Sequence, residues 1–188
     1  MNVKRQGWID YARGIAIILV LYRHVFEGIK QAGVPVARYL SVEYANIMFY
    51  SFRMPLFFIV SGFFVASSLR KRSMQEFIST KARTILYPYF LWGALQITLQ
   101  IAFSGYVNAN REQMDYALLL YSPRQVGQFW YLYALFIVSV LYALGRAFLK
   151  IPAWLNLVIG LIMFYVSTIL FRNDTNVWFL SDILHYYV

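Results

Sequence analysis

The sequence predicts an all-α fold, a polytopic transmembrane helical bundle with five spans and the start of a sixth. Hydrophobic residues make up 61% of the chain and charged residues only 13%, which is about half the charged fraction of an average soluble domain. Apolar segments of about 20 residues recur, and this is the length that an α-helix needs to cross a bilayer. No stretch alternates between apolar and polar residues as the strands of a membrane barrel do. We expect a single domain over residues 1–188 that is incomplete at its C-terminal end.

Five apolar segments define the predicted spans, at residues 8–29, 45–69, 84–103, 129–149 and 151–171. Charged residues interrupt the first two of these segments. The polar stretch 104–128 is too long for a tight turn, and residues 111–121 within it are predicted to form a short interfacial helix. Residues 177–188 begin another aromatic, apolar run that stops at Val188 without a basic flank, and for this reason we expect the domain to be incomplete.

Basic residues outside the spans predict the orientation of the bundle. One side carries five of them and the other side carries nine, namely Lys4, Arg5, Arg70, Lys71, Arg72, Lys81, Arg83, Arg146 and Lys150. Because cytoplasmic loops carry the excess of Lys and Arg, we expect a multi-pass protein of the plasma (cytoplasmic) membrane with a cytoplasmic N-terminus. This topology accounts for the net charge of +9, so we expect the lipid bilayer and no nucleic acid as a partner.

The residue types that are present exclude several kinds of site. Cysteine is absent, so the chain contains no disulfide, no thiolate metal ligand and no cysteine nucleophile. We predict no metal cofactor.

Arg13 and His24 are ionisable residues inside the first apolar segment. They are 11 residues apart, so on a helix they share one face and lie about 16 Å apart along the axis. Asp10 and Glu27 lie within about 60° of Arg13 on the same helical wheel. Ionisable residues at membrane depth are costly and indicate a function by default, so this face predicts a polar path that serves chemistry or transport.

These charged residues also admit a purely structural interpretation. Asp10 can pair with Arg13 at i,i+3, and Arg23 can pair with Glu27 at i,i+4, as end groups at the two membrane surfaces. His24 fits this interpretation less well, although a lone histidine is often only a hydrogen-bonded core residue. In the functional interpretation, His24 is a general base, because an imidazole with the ordinary pKa of about 6.5 takes up a proton near neutral pH, and Glu27 orients it.

Two arginines extend the candidate site. Arg13 lies at the predicted cytoplasmic end of the first span, where a forked guanidinium suits a phosphate-bearing ligand from the cytosol. Arg53 lies inside the second span at a depth similar to that of His24. Arg53 either belongs to the active site or forms an inward salt bridge, for example to Glu27.

Residues at the starts of the third and fourth spans have two interpretations each. Lys81 and Arg83 are either a positive flank or a phosphate-binding group at the cytoplasmic mouth. Trp130 and Tyr131 belong either to an aromatic belt at the membrane surface or to a platform that stacks on a sugar.

Four motifs, in order along the chain, resemble those of the membrane acyltransferase-3 family. Arg13 followed by ten residues and His24 is similar to the family's R-x10-H motif, and residues 9–15 are similar to its L-D-x-L-R-G opening. Residues 52–63 resemble the second signature, an aromatic–proline–Phe-Phe-x-x-Ser-Gly run. The segments 83–88 and 129–132 resemble the starts of later spans. Arg23 departs from the pattern, since many members have a small residue there.

The resemblance implies a larger membrane core, of which this chain supplies about the first half. It also implies transfer of an acyl group, commonly acetyl from cytosolic acetyl-CoA, to a hydroxyl of a cell-surface or lipid-linked glycan. The predicted site then consists of His24, Arg53 and Glu27 as catalytic residues, Arg13, Asp10, Lys81 and Arg83 as contacts of acyl-CoA, and Trp130 and Tyr131 as contacts of the glycan.

Two other functions fit the same polar face of the first span. A transporter subunit could use it as a substrate path, although the inverted repeats and paired broken helices typical of transporters are not found in the sequence. An inactive fragment that only contacts partner proteins is the other alternative.

Overall fold

The computed structural model describes residues 7–35, 39–107, 109–170 and 180–187, except for the side chains of residues 13 and 50–52. All regular elements in these ranges are helices, and none of the described residues forms a strand. This result confirms the predicted all-α class. The chain divides into two compact units, residues 1–64 and residues 65–188.

The first unit contains α1 (Gly7–Gln31) and most of α2 (Leu40–Lys71). Asp10 in the first turn of α1 and Lys30 in its last turn complement the helix dipole. Pro55 lies inside α2 without ending it. The last two turns of α2, from Val65 onward, belong to the second unit.

Polar and aromatic contacts join α1 to α2 within the first unit. The Tyr22 hydroxyl donates a hydrogen bond to the backbone carbonyl of Val42 at 2.8 Å. Trp8 packs edge-on against Phe63, with 5.9 Å between the ring centroids. The buried apolar side chains of this unit are Ile9, Ala16, Phe26, Phe58 and Val60.

The helix that contains the third predicted span begins ten residues before the predicted start at 84. Here α3 (Met74–Lys81) continues through a π-helical turn (Ala82–Leu86) into α4 (Tyr87–Ala102). Ser73 and Glu76 form a capping box at its start: the Ser73 backbone N–H donates to Glu76 Oε2 at 3.0 Å, and the Glu76 N–H donates to Ser73 Oγ at 3.3 Å. The cap starts the helix inside a polar segment, so hydropathy alone places the start too late.

A buried cluster around Tyr89 holds α4 against the polar stretch that follows it. The Tyr89 side chain is fully buried, and its hydroxyl donates to the backbone carbonyl of Leu119 at 2.6 Å. At Gly93, an added Cβ would lie 2.5 Å from Leu119 Cδ2, so glycine permits this close approach. The short helix predicted at 111–121 is present as a 3₁₀ turn (Gln113–Ala117) followed by α5 (Leu118–Tyr121).

The rest of the second unit consists of α6 (Pro123–Val126), α7 (Trp130–Ala147), α8 (Ala153–Leu170) and α9 (Leu180–Tyr186). Helix α9 packs against both α8 and α7. The Tyr187 hydroxyl, just after α9, donates to Asn156 Oδ1 on α8 at 2.9 Å.

Among the described residues, four helices are long and apolar enough to cross a membrane: Leu40–Lys71, Met74–Ala102, Trp130–Ala147 and Ala153–Leu170. These helices correspond to the second to fifth predicted spans. Helix α1 has 25 residues, but any 18 consecutive residues within it include at least three of Asp, Glu, Lys and Arg. The predicted count of five spans and part of a sixth is therefore not confirmed, because the charges of α1 lower its hydropathy and α9 is short.

The Tyr89 hydrogen bond gives a stability prediction. Tyr89→Phe removes the donor to a buried carbonyl and should lower the free energy of unfolding by about 1–3 kcal/mol, visible as a lower Tm of the purified protein. Tyr106→Phe is the matched control, because the Tyr106 side chain is 93% exposed and its replacement should leave the Tm unchanged. An unchanged Tm for Tyr89→Phe would show that this hydrogen bond does not stabilise the fold.

Candidate active site

Arg53, on α2, is the buried charged residue among those that the structure describes in the first unit. Only 2% of Arg53 is exposed, and Asn46 beside it is 8% exposed. The two residues are seven apart, which places them on one face of α2 about two turns apart, and Arg53 Nη1 donates to Asn46 Oδ1 at 3.4 Å. A guanidinium stays charged at this depth, so the local packing must supply it with acceptors.

His24, on α1, lies within electrostatic range of three charged side chains. The charges of Arg23, Arg53 and Glu27 all act on its imidazole, while His24 itself is exposed. The three residues predicted as catalytic, His24, Arg53 and Glu27, therefore lie close enough within the first unit for the charges of Arg53 and Glu27 to act on His24. A histidine beside such charges can exchange protons with a bound molecule while the arginines stabilise negative charge.

Glu27 has an observed partner on its own helix. Arg23 Nη2 lies 3.8 Å from Glu27 Oε1, and both side chains are about one third exposed. This contact confirms the predicted i,i+4 pair, which is worth only a few tenths of a kcal/mol on an exposed helix. Glu27 thus has a cation as its neighbour one turn back on α1.

Of the two predicted donor contacts on α1, Asp10 and Arg13, the structure describes the side chain of Asp10 only. Asp10 is exposed in the first turn of the helix. The backbone of Arg13 lies within α1, but its side chain is outside the described residues. The pairing of Asp10 with Arg13 and the contact of Arg13 with a donor therefore stay predictions.

The other two predicted donor contacts lie on the first helix of the second unit. Lys81 and Arg83 lie inside the continuous helix that begins after the Ser73 cap, although both precede residue 84, the predicted start of the third span. Lys81 Nζ lies 5.6 Å from the centroid of the buried Phe77 ring, a cation–π distance. Arg83 is exposed on the π-helical turn, where a ligand can reach its guanidinium.

Trp130, a predicted glycan contact, is part of a cluster that the sequence analysis missed. The Arg124 guanidinium lies 4.1 Å from the centroid of the Trp130 ring. Arg124 Nε also donates to both carboxylate oxygens of Asp182, at 2.7 and 2.9 Å, and Asp182 is 2% exposed. Arg124 and Asp182 are 58 residues apart, so no local pattern could have revealed their pairing. Tyr131, the other predicted glycan contact, is half-buried.

A cavity of about 380 Å³ in the second unit contains two further arginines. Arg70, at the end of α2, and Arg146, at the end of α7, both line it. Arg146 Nη1 is held by the backbone carbonyl of Ile151 at 2.7 Å. Two guanidinium groups on one cavity can bind a phosphate, whereas the sequence pattern indicated only a topological role for both residues.

The described residues contain no group of three or more His, Cys, Asp or Glu side chains arranged to hold a metal ion.

Comparison with known proteins identifies the family. Residues 6–188 match the family model described as an acyltransferase domain, that of the acyltransferase-3 family. The chain is 29% identical over 146 residues to the nodulation protein NolL of Mesorhizobium japonicum, covering 78% of this chain and 37% of that protein. It is also 29% identical over 150 residues to NolL of Sinorhizobium fredii, covering 78% of this chain and 38% of that protein.

The chain thus matches less than half the length of these two relatives, and no solved structure matches it. The family match extends over almost the whole chain and includes Arg13, His24 and Arg53. The chain therefore belongs to the acyltransferase-3 family of membrane acyltransferases.

Proposed function

We propose that the complete protein moves an acyl group, in particular acetyl, from cytosolic acyl-CoA to a hydroxyl of a cell-surface or lipid-linked glycan. The observation that carries this proposal is the His24 imidazole within range of the buried Arg53, in a chain of an acyltransferase family. The family match supports acyl transfer. The glycan and the CoA donor rest on the motif resemblance.

The proposed reaction is a single displacement at the thioester carbonyl. Neutral His24 takes the proton of the acceptor hydroxyl as the oxygen attacks the carbonyl carbon. The tetrahedral intermediate then collapses, the C–S bond breaks and the new ester remains on the acceptor. The imidazolium returns its proton to the CoA thiolate, so the enzyme is restored without any other reactant.

Arg53 and Glu27 have distinct roles in this scheme. Arg53 carries a permanent positive charge in a buried position, which suits it to stabilise the oxyanion of the intermediate. Glu27 favours the imidazolium that forms on His24 during proton transfer. Arg23 Nη2 lies 3.8 Å from the Glu27 carboxylate.

Arg13 is assigned to the acyl donor, together with Asp10 beside it and with Lys81 and Arg83 at the cytoplasmic mouth. This assignment follows from the excess of basic residues that places the N-terminus in the cytoplasm. CoA carries phosphates, which favour forked, charge-assisted contacts with arginine. Trp130 and Tyr131 are assigned to the glycan, with Arg124 fixing the plane of the Trp130 ring.

The transporter alternative has less support than acyl transfer. The matched family is one of acyltransferase domains, and the described helices give no observation that favours transport over chemistry.

Label transfer tests the proposed function directly. Membranes that contain the complete protein are incubated with radiolabelled acetyl-CoA, and label in the glycan and glycolipid fractions is counted. We expect label in an alkali-labile ester that is absent from membranes without the protein. If no label reaches any glycan fraction while the protein is present and folded, the proposed function is wrong.

His24 supplies the sharpest activity prediction. His24→Ala and His24→Gln should each lower the transfer rate by about 10²–10⁴-fold, because the general base is lost, while the amount of protein in the membrane stays the same. His185→Phe is the matched control. The ring centroids of His185 and Phe164 lie 4.5 Å apart, and a phenyl ring preserves that packing. Transfer should therefore continue in this variant. Near-normal turnover in both His24 variants would show that His24 is structural.

Arg13 supplies a prediction about the donor. Arg13→Lys keeps the charge but loses the fork, so the apparent KM for acetyl-CoA should rise while the KM for the glycan acceptor changes little. Asp10→Asn is measured beside it in the complete protein. If both variants change the transfer rate only slightly and do not raise the KM for acetyl-CoA more than the KM for the acceptor, Arg13 only pairs with Asp10 at the membrane edge.

A further inference from the structure

A groove of about 550 Å³ runs along the C-terminal half of α4 in the second unit. It reaches the turns after α4 and the residues just before α7. Its walls are mainly apolar and aromatic, and three glutamine amides are set among them. None of the lining residues that the structure describes is charged. Its lining includes Trp92, Leu95, Gln96, Leu99, Gln100 and Gln128.

Gln96 is fixed in place beside the groove. Its Nε2 donates to the backbone carbonyl of Val126 at 2.8 Å. Gly127, with φ of +131°, follows Val126, and a Cβ there would lie 2.6 Å from Gln96 Nε2. Gln96 Oε1 is buried without a hydrogen-bond partner in the described part of the chain. Since an amide oxygen can accept two hydrogen bonds, Gln96 Oε1 has acceptor capacity left among the described residues.

The other two amides have hydrogen-bonding capacity left over. Gln100 Oε1 accepts from Arg111 Nε at 3.3 Å, which leaves the two N–H groups of that amide to donate. Gln128 is half-buried and makes no hydrogen bond to any residue that the structure describes. An amide both donates and accepts, as a sugar hydroxyl does.

The wall between the glutamines is suited to hydrocarbon and to ring faces. Trp92 is 50% exposed, and Leu95 and Leu99 are also exposed. Large exposed apolar surfaces beside a few polar groups are typical of ligand grooves. The indole of Trp92 offers a flat face to a sugar ring or an acyl chain.

The groove lies away from the basic residues of the same helix. Gln100 is 17 residues beyond Arg83, which is roughly 25 Å along a helix axis. In the proposed topology Arg83 is at the cytoplasmic side, so the groove opens towards the opposite side of the membrane. No described lining residue is charged, and Arg111, which contacts Gln100 from outside the lining, lies 3.6 Å from the Asp115 carboxylate. An uncharged, hydroxyl-rich group therefore fits the groove better than a phosphate.

We propose that this groove is a binding site for an uncharged sugar unit that carries a hydrocarbon chain. The glutamines bind the hydroxyls, and the wall formed by Trp92, Leu95 and Leu99 holds the chain. The identification of this ligand as the acyl acceptor rests on the proposed function. The binding itself does not.

Photolabelling tests the binding. The complete protein in lipid nanodiscs is exposed to octyl β-D-glucoside with a diazirine in its alkyl chain, and labelled peptides are mapped by mass spectrometry. The same diazirine chain on tetraethylene glycol is the sugarless probe. We expect the glucoside to label residues 92–107 several-fold more strongly than the sugarless probe, and excess unlabelled octyl glucoside to compete.

Two substitutions with a matched control identify the amides. Gln128→Leu and Gln100→Leu should each lower glucoside labelling by about fivefold, the effect of one net hydrogen bond, without changing labelling by the sugarless probe. Gln75→Leu, at an exposed site on α3, is the control and should have no effect. Gln96 is not used, because its loss breaks the bond to Val126 and endangers the fold.

The outcomes separate this proposal from the proposed function. Labelling does not need chemistry, so His24→Gln should leave it unchanged, and protein without transferase activity can still show sugar-dependent labelling. Equal labelling by both probes would mean that the groove holds only lipid chains and would overturn the proposal. Absence of labelling, or no effect of either glutamine substitution, would also overturn it.

Discussion

The cost of placing ionisable groups inside apolar helices governs the first unit. Arg53 cannot give up its charge, and it is 2% exposed on a helix otherwise suited to a bilayer. Its burial requires acceptors, one of which is Asn46 on the same face. Its field reaches His24 on the neighbouring helix. Such an arrangement is expensive to maintain, and the proposed catalytic role explains why the chain keeps it.

The second unit places its charges differently. Its helices α4 and α8 contain no charged residue, and α7 carries one, Arg146, in its last turn. Arg124 pairs with the buried Asp182 and thereby ties α6 to α9. Arg70 and Arg146 meet at a cavity where α2 and α7 end. Charged residues in this unit therefore fix helix ends and line openings, while the uncharged groove beside α4 is suited to a different chemistry.

The sequence predicted long apolar elements better than boundaries and distant contacts. The helices that cover 45–69, 129–149 and 151–171 follow from hydropathy, because each is apolar over about 20 residues. The start of the third helix at Met74 depends on the Ser73–Glu76 cap, which a hydropathy pattern does not register. Helix α1 is long enough to cross a membrane, but its several charged residues give it a composition that is not typical of a membrane span.

Contacts between residues far apart in sequence were predicted only where a helical face or a motif linked them. The Arg23–Glu27 pair follows from i,i+4 spacing. The proximity of His24 and Arg53 was expected from similar depth and from the family motifs. The Arg124–Asp182 pair and the seating of Gln96 against Val126 depend on chain packing over 58 and 30 residues, and no local signal specifies them.

A double-mutant cycle on His24 and Arg53 tests the central claim, that these two side chains act as one catalytic unit. The rate of acetyl transfer is measured for the complete protein, for His24→Gln, for Arg53→Lys and for the double variant. Residues that act together show non-additive effects, so the double variant should be little slower than the more damaged single variant. If the two losses simply multiply, or if either single variant keeps a normal rate, His24 and Arg53 do not form one active site.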